Sequence, residues 1–425
     1  MLPTRRAIRR FAGKTRRAGR KAVRRGRRQL LRRYYRIQLR APIDPNLAVF
    51  AAYWYRGYSC NPRAIYEKLG EELPQVRGVW IVEREHAGSM PAGVEHVVAW
   101  TRDYYRLIAR ARFFVNNVNF PNDFVKREGT VHVQTHHGTP LKTMGLDLRT
   151  AYFAGSRMNF DLLLRRAERW DYSISSNAFS TEIWNRVYPV RCTTLEVGYP
   201  RNDVLANATE ADVERIRDGL GIAPGQRAIL LAPTHREYRG GYEPTADVER
   251  MAENLADDYV VLARLHYFYG EGLRPEARGT GTRVLDVTGH PSIEELCLAA
   301  DVLVTDYSSI MFDYAVLDRP IVLHVPDWDE YREKRGIYLD LLAEPPGVVT
   351  TTDEELLEAF RSGAVWGEEA TRLRSVFRER FASLDDGHAS ERVIRAVWLS
   401  EEKDSSGSAT GTTPAPATIE AARSR

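Results

Sequence analysis

The first 43 residues contain no acidic side chain, although Asp and Glu make up 57 of the 425 residues of the chain. Fifteen Arg and two Lys lie within residues 1–40, which gives this segment a charge of +17. The whole chain has a formal charge of only +4, so residues 41–425 carry about −13. This asymmetry excludes a uniformly basic nucleic-acid binder and separates a cationic arm from a mildly acidic remainder.

Cysteine is also scarce, with Cys60, Cys192 and Cys297 widely spaced and outside any CxxC pattern. This argues against both a disulfide framework and a thiolate zinc site. Long apolar runs are absent, because the longest, residues 47–55, is half of the roughly 20 residues that a membrane-spanning helix needs. We therefore expect no transmembrane helix, no secretory signal and a cytoplasmic location.

The arginines of the arm alternate with small or apolar residues at helical spacing. The resulting stripe consists of Ile8, Phe11, Thr15, Ala18, Ala22, Val23, Leu30, Tyr34 and Ile37. Such a helix is typical of a segment that lies on an anionic membrane surface, where each basic group contributes about 1 kcal/mol. Residues 1–40 are thus predicted to bind a membrane surface. A solvated, disordered tail is the alternative, because three glycines interrupt the helix, and nucleic acid is the least favoured partner.

From residue 47 onward, short apolar runs alternate with helical patterns, and this alternation occurs twice. The predicted strands are 79–82, 112–116, 131–135 and 171–175, then 228–232, 259–265, 284–287, 302–305 and 321–325. The predicted helices are 103–110, 159–169, 179–187, 292–299, 311–317 and 354–360. The pattern predicts an α/β protein with two doubly wound parallel sheets and ligands in the cleft between them. The expected division is a basic arm (1–43), two Rossmann-like domains (44–207 and 208–403) and a disordered tail (404–425).

The densest polar cluster at the end of a predicted strand is VHVQTHHGTPLKTMG, residues 131–145. The strand runs into two histidines and a glycine that allows a ligand to approach the backbone. His137 is the candidate general base, since imidazole titrates near neutrality. Candidates on the acceptor side are His136, Gly138, Thr139 and Lys142. A turn in which one histidine caps and the other packs is the alternative.

A second cluster, DVLVTDYSSIMFDYA (residues 301–315), leads from a strand through a turn into a helix. Ser308 and Ser309 would present hydroxyl and N–H groups to an anion at the helix start, although plain capping by one serine explains part of the pattern. Asp313 lies one turn into the helix, where a carboxylate could accept bonds from ribose. Thr305 and Asp306 complete the predicted phosphate site.

Three further polar residues follow apolar strands and are predicted to reach the same cleft. They are Arg201 in GYPRND, Arg236 in LLAPTHRE and His266 in VVLARLHYFY. Together they would supply donors to a diphosphate, as phosphoryl transfer requires when charge spreads over phosphate oxygens. Each of them alone would be interpreted as a surface charge.

Several common sites are missing from the sequence. There is no GxxxxGK[ST], no GxGxxG after a strand, no HExxH and no GxSxG. The triplet at residues 327–329, Asp-Trp-Asp, resembles the acidic metal motif of one glycosyltransferase class, but so short a match is weak. We predict no metal and no cofactor.

Six segments resemble the CDP-glycerol glycerophosphotransferase family of teichoic acid synthesis. They are HGTPLK (137–142), GYPRND (198–203), APTHRE (232–237), RLHYF (264–268), TDYSSIMFDYAVLDRPIV (305–322) and DEYREKRGIYLD (329–340). The resemblance implies a GT-B-like enzyme that transfers glycerol phosphate, or a related polyol phosphate such as ribitol phosphate, from a CDP-linked donor. The acceptor would be a hydroxyl of a membrane-linked molecule, and cytidine monophosphate (CMP) would be released at the cytoplasmic face of the membrane.

The resemblance also implies roles for individual residues. His137 matches the general base of the family and His266 a second essential histidine near the diphosphate. Positions expected to contact the nucleotide are Arg201, Arg236, Ser308, Ser309 and Asp313. His136 and His235 depart from the usual Trp at each position. Two alternatives remain: a GT-B glycosyltransferase with a nucleotide-sugar donor, and a non-catalytic membrane scaffold with the same fold.

Overall fold

The computed structural model describes residues 26–150, 158–236, 238, 245–255, 258–264 and 284–399. Its first sheet contains β1 (Asp44–Ala51), β2 (Arg77–Val82), β3 (His96–Val98), β4 (Ala111–Asn116), β5 (Val131–Gln134), β6 (Tyr172–Ser175) and β7 (Thr193–Glu196). The order is β3-β2-β1-β4-β5-β6-β7 and every pair is parallel. The strand order reverses beside β1 and β4, as in a doubly wound fold.

The second sheet contains β8 (Arg227–Ala232), β9 (Tyr259–Ala263), β10 (Val284–Asp286), β11 (Val302–Thr305), β12 (Ile321–His324) and β13 (Val348–Thr350). These strands are also parallel, in the order β10-β9-β8-β11-β12-β13. The reversal here lies between β8 and β11. The predicted α/β, GT-B-like pair of doubly wound sheets is therefore confirmed.

Helices cover both sheets. In the first half they are α1 (26–38), α2 (Cys60–Glu72), α3 (Arg102–Arg110), α4 (Phe160–Ala167), α5 (Ala178–Val187) and α6 (Asp203–Asn207). In the second half they are α7 (Glu210–Leu220), α8 (Val248–Asn254), α9 (Ile293–Ala299), α10 (Ile310–Tyr314), α11 (Trp328–Arg335), α12 (Asp353–Arg361), α13 (Glu368–Phe381) and α14 (Ala389–Ile394). Local sequence sets several of the starts: Thr209, for example, forms a capping box with Asp212.

Both faces of each sheet are buried, which explains why the central strands are continuous apolar runs rather than alternating ones. All four residues of β11, for example, are buried. One core lies on each face of each sheet. Polar side chains consequently concentrate at the strand ends, where the chain leaves the core.

Residues 389–399 return to the first sheet. Val393 and Val397 are fully buried in the core that covers one face of that sheet, and the ring of Trp398 lies 4.9 Å from that of Phe113. The predicted grouping of residues 208–403 into one domain therefore does not describe residues 389–399. The boundary near residue 207 stays a prediction.

Helix α1 packs on the first domain through one side. Tyr35 is buried against Tyr105, with 5.4 Å between the ring centroids. Leu30 and Ile37 of the predicted stripe are 66% and 61% exposed, whereas Tyr34 of the same stripe is half-buried and packs against the core of the first domain. Residues 1–25 and the predicted tail lie outside the described residues. None of the described helices has the length and apolar content to cross a membrane.

A short antiparallel bridge joins the two domains close to the HGTPLK segment. The Thr143 N–H donates to the Gly336 carbonyl at 3.1 Å, and the Tyr338 N–H donates to the Leu141 carbonyl at 2.8 Å. Gly336 has a φ of +70°, and a Cβ at this position would lie 2.2 Å from Thr143 Oγ1, so only glycine fits. The loop after β5 is thereby fastened to the second domain.

Candidate active site

The carboxyl ends of the central strands of both sheets face one interdomain cleft. On the first sheet they lead into Tyr53 after β1, Asn117 after β4 and His137 after β5. Across the cleft, the turn after β11 carries Ser309. Gly138 and Ser309 lie in contact, since a Cβ added to the glycine would be 2.9 Å from Ser309 Oγ. The segment that holds the candidate base thus meets the predicted phosphate turn.

His137 has the geometry of a general base. Its Nδ1 lies 3.0 Å from the Asn117 carbonyl oxygen. A carbonyl can only accept, so Nδ1 must carry the proton and Nε2 keeps its lone pair. The ring is exposed at the bottom of the cleft. Surrounding protein lowers the pKa of His137, the bond to Asn117 opposes this shift, and the charge of Arg201 lowers the pKa further, so the imidazole is neutral at pH 7.

Arg201 crosses between the domains and forms an ion pair with Asp313 of α10. Both residues are buried, with 7% and 8% of their surface exposed. The Arg201 main-chain N–H donates to Asn61 Oδ1 at 3.1 Å, which fixes the start of this turn. Burial raises the pKa of Asp313 while Arg201 opposes that shift. Arg201 Nε and Asp313 Oδ1 are buried without a partner among the described residues, which leaves bonding capacity for a ligand.

The turn after β11 combines fixed and open groups. Thr305 Oγ1 donates to the Ala232 carbonyl at 2.7 Å, and Asp306 Oδ1 accepts from the Thr234 N–H at 2.8 Å. These two predicted site residues hold the turn in place. Ser309 begins α10 without a side-chain capping bond, and Ser308 Oγ has only a long contact of 3.4 Å with the Ile310 N–H. The serines are the groups that remain open to a ligand.

Arg236 is placed differently from what the sequence predicted. Its guanidinium donates to Asp306 at 2.8 Å and to both oxygens of Asp327 at 2.8 and 2.9 Å. It also lies over the stacked rings of Tyr307 and Tyr331, 4.8 and 5.0 Å from their centroids. Two carboxylates overcompensate its charge. Arg236 therefore stabilises the second domain beneath the cleft, and it is not available to a phosphate in this arrangement.

The acceptor-side candidates also divide into two groups. His136 is buried and stacked on Trp184 at 3.8 Å, with Nε2 3.0 Å from Ser173 Oγ, and burial lowers the pKa of His136. Thr139 is buried beside Ser176 at 3.2 Å. These two residues support the loop from below. Gly138 lies in the cleft, and Lys142 lies 5.9 Å from the ring of Tyr331 and in the interdomain bridge.

His266, the second predicted histidine, lies outside the described residues. Its neighbour Arg264 follows β9, and Arg264 Nη1 donates to the His290 carbonyl at 2.9 Å. The role predicted for His266 stays a prediction.

Sequence reasoning missed Asn117, Tyr53 and Asn61. Asn61 donates to the carbonyls of Thr135 and His136 at 2.9 and 3.1 Å, so it shapes the loop that ends in His137. The available signal was the Asn-Asn pair at the end of predicted strand 112–116, because buried amides at a strand end need partners. No motif marks Tyr53 or Asn61.

The acidic triplet of residues 327–329 does not converge on one point. Asp327 accepts from Arg236, whereas Asp329 is 88% exposed and lies 3.4 Å from Arg332. In the part of the chain that the structure describes, no group of three or more His, Cys, Asp or Glu side chains is placed to hold a metal ion.

Two proteins of known role are similar to this chain. The teichoic acid glycerol-phosphate transferase of Staphylococcus aureus is 34% identical over 84% of this chain and 93% of its own length. The teichoic acid poly(glycerol phosphate) polymerase of Bacillus subtilis is 33% identical over 85% of this chain. This chain spans only 50% of the length of that polymerase.

A solved structure of the wall teichoic acid polymerase TagF, a histidine variant soaked with CDPG, superposes with a TM-score of 0.81. It is 29% identical and covers 93% of this chain and 99% of its own. The sequence profile of one family, CDP-Glycerol:Poly(glycerophosphate) glycerophosphotransferase, matches residues 33–399. With its motifs, its two facing sheets and these relatives, the chain belongs to the CDP-glycerol:poly(glycerophosphate) glycerophosphotransferase family.

Proposed function

We propose that this protein transfers glycerol phosphate, or a related polyol phosphate, from a CDP-linked donor to a hydroxyl of a lipid-linked acceptor, with release of CMP. The observation that carries the proposal is the 3.0 Å hydrogen bond from His137 Nδ1 to the Asn117 carbonyl, which leaves the Nε2 lone pair to accept a proton. The Ser309 turn and the Arg201–Asp313 pair lie directly across from it. A base and an anion-binding face are the two parts that this reaction needs.

In the proposed mechanism, His137 Nε2 removes the proton of the acceptor hydroxyl. The oxygen attacks the phosphorus that bears glycerol, a new P–O bond forms, and the bond from that phosphorus to the bridging oxygen breaks. The bridging oxygen leaves with the cytidine phosphate as CMP. The proton stays on His137 until it passes to solvent or to product, so charge and atoms balance.

The anion-binding half of the cleft supports the nucleotide end of the donor. Ser308 and Ser309 offer hydroxyl and N–H groups, and Arg201 adds a buried positive charge beside them. Such groups stabilise the charge that develops on the leaving phosphate. From its motif position, we assign His266 to the same phosphate.

The test of this function measures CMP release from CDP-glycerol with a lipid-linked acceptor. His137→Ala is expected to lower kcat about 10²- to 10⁴-fold, the usual contribution of a general base. His137→Asn is the matched variant, since its amide can still donate toward Asn117 but cannot act as a base, and it should lose as much activity. Wild-type activity in either variant would reject the assignment of the base.

A donor labelled on the phosphate next to glycerol separates phosphate transfer from sugar transfer. The label should appear in the lipid product. Its recovery in a nucleoside diphosphate would instead support a glycosyltransferase. Running CDP-glycerol and CDP-ribitol in parallel identifies the polyol, and the size of the product distinguishes one transfer from polymerisation.

We place the protein at the cytoplasmic face of the membrane through residues 1–40. Leu30 and Ile37 are exposed on α1 among exposed arginines such as Arg33 and Arg36. This combination favours an anionic lipid surface. Deletion of residues 1–25 removes 11 of the basic side chains and should weaken binding to phosphatidylglycerol vesicles while a water-soluble acceptor is still used. Unchanged vesicle binding would contradict this placement.

A further inference from the structure

The loop between β1 and α2 contains an unusual run of backbone conformations. Tyr53, Trp54 and Tyr55 have φ angles of +44°, +57° and +73°. Non-glycine residues rarely adopt this region, and three in succession require that the surroundings hold them there. Such conformations concentrate at functional sites. The loop leaves β1 at the strand-order reversal of the first sheet, which is the edge that faces the cleft.

Asn117 forms a hydrogen bond with Tyr53, the first residue of this run. Its Oδ1 accepts from the Tyr53 N–H at 2.9 Å. Its main-chain carbonyl accepts from His137 Nδ1 at 3.0 Å. Asn117, which directly follows β4, therefore contacts both segments. Its side chain bonds to the strained loop, and its main-chain carbonyl bonds to the candidate base.

Tyr53 is the residue of this loop whose ring contacts the imidazole of His137. The two ring centroids are 5.6 Å apart and the planes are inclined by 69°, an edge-to-face contact. If the loop relaxed, this wall of the His137 site would move away and water would enter. Because desolvation by the surrounding protein is the main cause of the lowered pKa of His137, loss of the Tyr53 contact from one side of this exposed side chain would raise that pKa.

The Asn117 amide is not fully used within the protein. Asn117 is 2% exposed, and Nδ2 has no hydrogen-bond partner among the described residues. A buried amide that served packing alone would have both ends satisfied. An unpaired donor beside the base fits a site in which an oxygen of the bound substrate completes the bonding.

We propose that Asn117 is a positioning residue for the His137 base, which it orders by holding the Tyr53–Tyr55 turn against the imidazole. This inference rests on the proposed function of His137. Tyr53 and His136 are the titratable neighbours of His137 on the first domain, and Arg201 is the charged neighbour from the turn after β7. A shift in the pKa of His137 in any variant must therefore be distinguished from a change in the charge of one of these groups.

The test compares Asn117→Ala with Asn117→Asp in the full chain, with CDP-glycerol and a lipid-linked acceptor. Asn117→Ala should lower kcat about 10- to 100-fold, as expected when a reacting group is displaced by about 1 Å, with the KM for CDP-glycerol nearly unchanged. The acidic limb of the pH profile of kcat/KM should move upward, because the His137 pKa returns toward its ordinary value.

Asn117→Asp keeps an acceptor for the Tyr53 N–H but loses the Nδ2 donor, so it should recover only part of the kcat lost in Asn117→Ala. Its added negative charge should move the acidic limb further upward. Asn116→Ala is the matched control: it removes an equally buried amide one residue earlier, whose Oδ1 contacts His132 at 3.1 Å instead. This control should reproduce any loss of stability without moving the pH profile.

Two results would overturn the inference: wild-type kcat and pH profile in Asn117→Ala, or equal shifts in the Asn117→Ala and Asn116→Ala variants. If Asn117→Ala does not fold, Asn117→Asp decides the question through its pH profile, and an unshifted limb rejects the proposal. Activity that survives His137→Ala would instead reject the proposed function, whatever Asn117 does.

Discussion

Two pairs of polar residues beside the cleft, Arg236–Asp306 on the second domain and His137–Asn117 on the first, differ in how completely they are hydrogen-bonded. On the second domain, Arg236 and Asp306 satisfy one another and lie beneath the turn that faces the ligand. On the first domain, His137 is bonded through Nδ1 to the Asn117 carbonyl, and Asn117 Nδ2 is buried without a hydrogen-bond partner among the described residues. Completed bonding makes a rigid support, whereas incomplete bonding marks where a substrate can add its own groups. Under the proposed function, support of the fold and the reaction itself are thus assigned to different loops.

The largest effect that tests this contrast is a loss of stability at Arg236. Arg236→Met leaves Asp306 and Asp327 as buried carboxylates without a counter-charge, which should cost about 3–5 kcal/mol of unfolding free energy. Denaturant titration measures the loss. A stability close to that of the wild type would show that Arg236 is not structural, and its predicted contact with the donor would then regain support.

The Arg201–Asp313 pair should respond to a double substitution in a way that separates stability from activity. Arg201→Met alone leaves the Asp313 carboxylate buried and uncompensated. Arg201→Met combined with Asp313→Leu removes both charges and should restore stability to within about 1–2 kcal/mol of the wild type. Activity should stay low in the double variant, measured as CMP release, because the cleft has lost its buried positive charge. Recovery of activity would mean that the pair serves only to join the domains.

Gly138→Ala tests the close approach of the two sides. Gly138 has a φ of +138°, and an added Cβ would lie 2.9 Å from Ser309 Oγ and 3.1 Å from Arg201 Nη2. The substitution should cost about 1 kcal/mol or more in stability and lower kcat by separating the base from the phosphate turn. Gly129→Ala is a suitable control, because Gly129 also has a positive φ but only an ordinary contact at 3.8 Å with Ile43.

The last prediction concerns how stability depends on pH. Burial raises the pKa of Asp385 to about 7, although the bond from the Tyr199 N–H opposes the shift. The folded state therefore holds a proton that the unfolded state releases near pH 4, and stability should fall as pH rises from about 4 to 7. Asp385→Asn keeps the acceptor for Tyr199 and should raise the melting temperature at pH 8 relative to the wild type. No gain at pH 8 would contradict the raised pKa.

Several strands were predictable from local pattern, although the central strand β1 was not predicted despite its buried apolar run at residues 47–51. Strands 79–82 and 302–305 were predictable because their burial on both faces requires continuous apolar runs. The edge strand β7, Thr-Thr-Leu-Glu, has no such run and was missed. The long helix α13 has only three buried residues, Ala370, Phe377 and Phe381, so its apolar face is sparse.

Site residues were harder to assign because partners come from distant segments. His137 was predicted from its own strand end, and the geometry suits that prediction. Arg236 has the same local signature, yet its partner Asp327 lies 91 residues away, and no local pattern could show that pairing. His136 and His137 are adjacent and chemically identical. Only the opposite directions of successive side chains place His136 in a stack of rings and leave His137, the candidate base, open.

The bridge between residues 141–143 and 336–338 has a mechanical consequence. The bridge lies within six residues of His137. If the two domains rotate about the bridge and the cleft opens, His137 therefore moves only a short distance. The ends of β9 and β10, on the far side of the second sheet, would move much further in the same rotation. Under the proposed function, spent nucleotide would therefore leave from that side while His137 and the attacking hydroxyl keep their relative positions.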